Sequence, residues 1–288
     1  MRVLERPYRS NNRLIQQHPN LEWLEGDFAN EQDLCRALHN VDAVFHLVST
    51  TQPQSSNGDP IFDIQTNLIA TIGLLEQMRS MPTIPLIFIS SGGTVYGRPQ
   101  QIPIVETHST EPQCSYGIVK LAIEKYLALY HLLYGINYRV LRLANPYGPG
   151  QELNLAQGVI AAFISRIVDS QSLEVWGDGS VVRDYLYIGD AISALQKAAL
   201  YQGEERIFNI GSGRGYSVCQ IISSIENVSG KRADVRYSSK RTFDVPVNVL
   251  NIQRAQHELG WTPTTSLDEG LALTFEWMKK GPIGIDKS

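Results

Sequence analysis

The sequence is poor in cysteine: Cys35, Cys114 and Cys219 are the only three in 288 residues, odd in number and far apart. Such a set offers no disulfide framework and points to a reducing compartment. Positive charge is not in excess either. Against 29 Asp and Glu stand 25 Lys and Arg, a net charge of −4, where a nucleic-acid binder would ordinarily carry a basic patch. No apolar run approaches the ~18 residues of a membrane span, so no membrane helix is expected. The opening "MRVLERPYRS" is charged and lacks the apolar core of a secretory signal, which makes cytoplasm the expected location. The six histidines form no HxxxH or HxH pair, and no metal site is expected. There is no internal repeat and no low-complexity segment. What remains is 43% hydrophobic and 19% charged, an ordinary soluble composition with length enough for one large domain or two smaller ones.

Short β-branched runs alternate with longer amphipathic segments. "RVLE" (2–5), "VDAVFHLV" (41–48), "PLIFISS" (85–91), "YRVLRLAN" (138–145) and "RIFNIGSG" (206–213) read as strands. Between them, residues 30–38 (with Asn30 as cap), 63–80, the segment around Tyr116, 155–169 and 189–200 read as helices. Ser217 and Gln220 have capping-box spacing and open another helix toward Val228. Alternation of this kind implies βαβ units and an α/β, doubly wound parallel sheet. Ligands in such sheets bind beyond the carboxyl ends of the strands. Two loops stand there with glycines that allow close approach, "FISSGGTVYG" (88–97) and "LRLANPYGPG" (141–150).

Tyr116 and Lys120 lie four residues apart in "CSYGIVKLAIEKYLALY". On a helix they share a face, with Cβ atoms roughly 5–6 Å apart. By themselves they are either a catalytic pair or two neighbours on a solvated surface.

"SSGGTVYG", "SYGIVK", "RLANPYGPGQ", "GDGSVVRDYLYIGDA" and "KRTFDVPVNVLNIQRAQHELGW" occur in the order and at the intervals of the extended short-chain dehydrogenase/reductase family. The chain most closely resembles that family's nucleotide-sugar 4-epimerases of the UDP-galactose epimerase type, over nearly its whole length. The resemblance implies a Rossmann-type sheet with a smaller C-terminal α/β substrate domain, NAD as cofactor and a UDP-sugar as substrate. Tyr116 then removes the proton of a sugar hydroxyl, and Lys120 stabilises its phenolate and holds the nicotinamide ribose. On the cofactor side the resemblance assigns Glu5 to the adenosine ribose, Asp27 to the adenine, His46, Leu47 and Val48 to the covering loop, and also Asn67 and Ser90. On the substrate side it assigns Ser91, Asn145, Asn154, Arg183, Arg241, Asp244 and Asn248. Arginine suits a diphosphate because its planar fork contacts two oxygens at once. Asn248 stands where UDP-glucose-selective members often carry tyrosine, so an N-acetylated hexose is also accommodated.

Two departures follow. The family's catalytic Ser or Thr falls on Gly92, which leaves Thr94, or else Ser91, to supply a hydroxyl. The acid/base pair of the dehydratases, just before "VYG", falls on Gly93 and Thr94, which favours epimerisation or simple oxidoreduction. The family also opens with a strand, a GxxGxxG turn and a helix, whereas "MRVLERPYRSNN" resembles its second strand. "GSGRGYS" (211–217) does not replace that turn. The expectation is therefore a sheet without its first strand and helix, and weak NAD binding by this chain.

The implied division is a cofactor domain of residues 1–150 with 184–212 and a sugar-nucleotide domain of residues 151–183 with 213–288. The helices near 63–80 and 115–134 resemble those that pair into the family's homodimer. An NAD-dependent epimerase acting at C4 of a UDP-hexose is the expected activity. A nucleotide-sugar reductase or dehydrogenase and a non-catalytic sugar-nucleotide binder are the alternatives.

Overall fold

The computed structural model describes residues 1–6, 19–151, 158–239 and 245–280. The chain divides into two compact units, Met1–Ser90 with Pro112–Val140 and Ser91–Glu111 with Leu141–Ser288.

In the first unit, β1 (Arg2–Glu5) pairs in parallel with β2 (Glu22–Glu25), Arg2 opposite Glu22 and Glu5 opposite Glu25. α1 (Glu31–Leu38) opens as its sequence requires: the Asn30 side chain accepts from the N–H groups of Gln32 and Asp33, and Glu31 and Asp33 place negative charge at the positive end of the helix. β3 (Val44–His46) pairs in parallel with β4 (Leu86–Ser91). Leu86, Ile87 and Phe88 are fully buried, the continuous apolar run of a parallel strand covered on both faces.

Residues 60–78 form one helical run in three parts. α2 (Pro60–Asp63) begins with Pro60 in the first turn and Asp59 as cap. A π-helical stretch (Ile64–Ile69) follows, then α3 (Ala70–Met78). The period expected over 63–80 is thus interrupted by a wider turn, which in helices often marks a functional site. α4 (Ser115–Tyr134) buries Val119, Ile123, Leu127 and Tyr130 at helical spacing, and Gly135 ends it in the left-handed region, φ 71°.

β5 (Tyr138–Leu143) lies beside β4. Leu86 N–H bonds to Asn137 O at one end and Gly92 N–H to Leu143 O at the other, both at 2.8 Å, so the two strands run parallel. β4 and β5 each begin in the first unit and end in the second. Among the described residues, β1 has β2 as its only strand partner and β3 has only β4.

In the second unit the chain leaves β5 at Ala144, whose N–H bonds to Ile210 O, and enters β6 (Asn145–Tyr147). The single strand expected over 138–145 is therefore two, serving different sheets. α5 (Val159–Val168), β7 (Leu173–Trp176), β8 (Val182–Tyr187), α6 (Ile188–Leu200), β9 (Ile207–Ile210) and β10 (Gly215–Ser217) follow. Then come α7 (Val218–Ser229), β11 (Val235–Ser238), β12 (Val247–Asn248), α8 (Gln253–Glu258) and α9 (Leu267–Lys280). β9 pairs beside β5, and β7 pairs in parallel with β11. β8 joins β10 in antiparallel fashion and β6 and β12 in parallel. The Ser217–Gln220 capping box forms at α7. Phe163, Ile164, Leu173, Ile221 and Leu271 lie at the centre of this unit's core. No helix among the described residues is long and apolar enough to cross a membrane.

Candidate active site

α4 carries Tyr116 and Lys120 in its first two turns, yet it has no side-chain cap of its own at Cys114. The N–H groups that a helix start leaves unpaired are met from elsewhere: Ser115 N–H by Asn57 Oδ1 at 2.9 Å and Tyr116 N–H by Ser56 Oγ at 3.0 Å. Lys120 is buried, and its Nζ donates to Ile89 O at 2.9 Å. The same ammonium lies 4.8 Å from the Phe88 ring centre and 5.6 Å from that of Tyr116. Tyr116 and Lys120 therefore do meet, on the inner face of the helix and not on a solvated one.

Their electrostatics are set first by desolvation. Burial pulls the Lys120 ammonium down to about 8, against the pull of Asp63 and Glu124, which favour its charge. Burial pushes the Tyr116 phenol up to about 12; a hydrogen bond with Ser49 opposes the rise, and Cys114 and Asp63 add to it. The expectation that Lys120 lowers the phenol does not describe the protein chain alone. Its charge rests on a carbonyl, and desolvation of the phenolate prevails.

Ser90 is buried and donates to Glu124 Oε1 at 2.5 Å, one helical turn beyond Lys120. The side chain of Asn67 props the loop after β3: its Oδ1 accepts from Thr50 N–H at 3.0 Å, and its Nδ2 donates to Thr50 Oγ1 at 2.8 Å. His46 is a core residue between Phe28 and Phe88, with ring centres 4.9 and 5.1 Å away. Thr71 spends its proton on Asn67 O, so the 2.8 Å contact between His46 Nε2 and Thr71 Oγ1 requires His46 to donate. Its Nδ1 is buried without a partner, and burial, with the Lys120 charge, pulls the ring down to about 3, which keeps it neutral. Leu47 is exposed and Val48 half-buried. Glu5 and Asp27 are both partly accessible, at the end of β1 and just after β2. Asp27 Oδ1 accepts from Ala29 N–H at 2.9 Å and lies 3.5 Å from Arg6 Nη2.

The second unit holds Ser91, Thr94, Asn145, Arg183 and Asn248. Asn145 Nδ2 donates to Asp184 O at 2.9 Å, and Arg183 donates to the carbonyls of Val182 and Val245 at 2.9 and 2.7 Å. Asn248 pairs in register with Arg183 and donates to Gly92 O at 3.1 Å, while its buried Oδ1 has no partner. The Asp184 carboxylate accepts N–H groups from Ser212, Gly213 and Leu250. The Thr94 hydroxyl is enclosed and has no partner, whereas Ser91 is partly accessible. Asn154, Arg241 and Asp244 lie outside the described residues.

A sequence profile of the NAD dependent epimerase/dehydratase family matches residues 1–211. The chain belongs to that family. Within it, the chain is 35% identical over 233 residues to an Escherichia coli protein named dTDP-4-dehydro-6-deoxyglucose reductase, covering 81% of this chain and 73% of that one. It is 32% identical over 238 residues to a UDP-glucose 4-epimerase of Mycolicibacterium smegmatis, covering 83% and 76%. Its fold matches the crystal structure of a UDP-glucose 4-epimerase from Thermotoga maritima with UDP-glucose at a TM-score of 0.91 and 34% identity, over 97% of this chain and 90% of the other. The α/β Rossmann-type fold and the nucleotide-sugar epimerase type expected from the motifs are thereby met.

The glycine at position 92 has a local cause. A Cβ there would stand 2.5 Å from Leu250 Cδ1 and 3.2 Å from Arg142 O, and Leu250 is fully buried. Gly92→Ser should therefore cost about 1–3 kcal/mol of stability, the scale of overpacking a core. Chemical denaturation checks this, and adding Leu250→Ala should recover part of the loss. An equally stable Gly92→Ser single variant would contradict the packing argument.

Sequence reasoning missed Asp63, Glu124, Ser56 and Asn57. Glu124 had a signal, one turn after Lys120 on the apolar face of α4. The other three act across the fold, and no local pattern marks them.

Proposed function

We propose that this protein is an NAD-dependent nucleotide-sugar epimerase that inverts C4 of a UDP-hexose through the 4-keto sugar. The observation that carries the reading is the buried Lys120 ammonium beside the Tyr116 ring, both aimed from the start of α4. The donor set fits the cofactor: Glu5 and Asp27 offer accessible carboxylates to ribose and adenine, and Lys120 brings a cation to the nicotinamide side. With Leu47, Val48, Asn67 and Ser90 they would hold NAD, which supplies a hydride acceptor that returns the hydride within the same turnover. Tyr116 takes the proton from the C4 hydroxyl oxygen and gives it back after the face has changed. Lys120 holds positive charge against the developing phenolate. Ser91 supplies the hydroxyl for the reacting oxygen, because that of Thr94 is enclosed. Asn145, Asn154, Arg183, Arg241, Asp244 and Asn248 serve the sugar nucleotide. The cofactor side comprises residues 1–150 with 184–212, the sugar-nucleotide side 151–183 with 213–288, and the setting is cytoplasmic.

The test is incubation of UDP-glucose or UDP-galactose, and their N-acetylated forms, with NAD⁺. The 4-epimer should accumulate with no net change in nicotinamide absorbance. A second reading rests on the reductase name of the Escherichia coli relative. That reading requires stoichiometric loss of reduced cofactor on a 4-keto sugar nucleotide.

We also propose a homodimer through the helices of the first unit. Ile61, Phe62, Ile64 and Ile69 on the 60–78 run, and Ile118, Leu129, Leu132 and Leu133 on α4, are exposed, and apolar side chains gathered on exposed helices suit a self-complementary contact. Sedimentation at micromolar concentration should give a dimer, and Leu132→Glu with Leu133→Glu should give a monomer. A wild-type monomer at that concentration would exclude it.

A further inference from the structure

Asp63 is fully buried, and among the described residues no cation forms an ion pair with it. An ionised carboxylate in that position is costly unless its oxygens are well met. They are met by three neutral donors from three parts of the first unit. Thr51 Oγ1 donates to Oδ1 at 2.7 Å and Asn67 Nδ2 to the same oxygen at 3.0 Å, while Ser115 Oγ donates to Oδ2 at 2.7 Å. One oxygen thus faces the loop after β3, and the other faces the first residue of α4, next to Tyr116. The π-helical stretch begins at the following residue, and Asn67 within it reaches back to Asp63 O at 3.1 Å as well. The start of α4 has no cap of its own and hangs on Ser56 and Asn57 of the same loop. Ser49, two residues before Thr51, donates to Thr51 O at 3.2 Å and acts on the Tyr116 phenol against its upward shift. The loop therefore holds the start of α4 at the backbone N–H groups of Ser115 and Tyr116.

We infer that Asp63 is a positioning residue that ties the start of α4 to the loop at 49–51, so that the state of the loop is felt at Tyr116. This rests on the proposed role of Tyr116 as the base. The charged and titratable groups around the pair are Asp63, Glu124, Cys114 and the neutral His46. Of these, Asp63 bears on both Tyr116 and Lys120. Its negative charge disfavours the phenolate, so its removal should ease ionisation of Tyr116.

The experiment follows the Tyr116 phenol by NMR with isotope-labelled tyrosine, its resonance identified by its loss in Tyr116→Phe. Asp63→Asn, nearly isosteric, should move the titration midpoint to lower pH by about half a pH unit or more, the sense expected when a nearby like charge is removed. A merely structural role would change unfolding and leave the midpoint in place, and an unchanged midpoint in a folded variant would overturn the inference. Should Asp63→Asn not fold, hydrogen exchange in Thr51→Val and Ser115→Ala decides. Loss of either bond to the carboxylate should speed amide exchange about tenfold at the far end of the tether: at 115–116 in the first variant and at 50–51 in the second, with 125–134 unchanged. Exchange altered only beside the substitution would overturn it. Neither readout involves turnover, so a chain that behaves in this way and epimerises nothing would sink the functional proposal and leave this one standing.

Discussion

Tyr116→Phe should lower kcat by at least about 10²-fold in a chain that binds its cofactor, the scale of general acid–base catalysis. The substitution removes one oxygen and keeps the ring, so the helix start and the packing beside Lys120 persist. Sugar-nucleotide affinity should largely survive, because the phenol serves one hydroxyl and the diphosphate is held by other residues. Steady-state kinetics with a binding titration separate the two effects. The phenol is also the group most in need of help, since burial leaves it protonated at neutral pH. The nicotinamide charge, added to that of Lys120, acts in the required direction. Near-native turnover in the variant would return Tyr116 to a neighbour of no chemical consequence.

Lys120→Met should also cost at least about 10²-fold in kcat, and it should change stability in a way that depends on pH. Lys120 titrates at about 8 in the folded chain against a reference of 10.5. Between those values the unfolded chain binds the extra proton, so wild-type stability gains with rising pH from this group; below about 8 the buried charge is a cost. The methionine variant carries no such charge. Its stability relative to wild type should be most favourable at neutral pH and should decline by about 3 kcal/mol as pH rises through that window. Tyr116 and the other titrating groups are common to both chains and largely cancel. Urea unfolding of both proteins across the window measures the difference. A difference that does not vary with pH would mean that Lys120 keeps an ordinary ammonium in the fold.

Much of the fold was legible because its elements obey local rules. Asn30 caps α1, Ser217 and Gln220 box the start of α7, and the apolar period of α4 runs unbroken from Val119 to Tyr130. Where two helical periods are joined by a π turn, as at 64–69, the sequence "IQTNLI" has no glycine or proline to mark the change of period. Where one apolar strand serves two sheets, as at Ala144, the division depends on partners far along the chain. The same holds for the site. Tyr116 and Lys120 were visible as a spaced pair, and Glu124 follows them on the same helix. Asp63 sits among the exposed apolar residues Ile61, Phe62 and Ile64, so nothing in its surroundings along the chain marks it as buried. Asn67 and Ser90, expected to face the cofactor, spend side-chain bonds on Thr50 and Glu124. Those partners come from other elements and cannot be read from spacing.

The central claim is that hydride leaves C4 of the sugar and returns to it within one active site. A UDP-hexose deuterated at C4, turned over in ordinary water with NAD⁺ and followed by NMR, tests this most directly. The 4-epimer should form with deuterium retained at C4 and no accumulation of reduced cofactor. Solvent hydrogen at C4 in the product, or turnover that consumes the nicotinamide stoichiometrically, would contradict it.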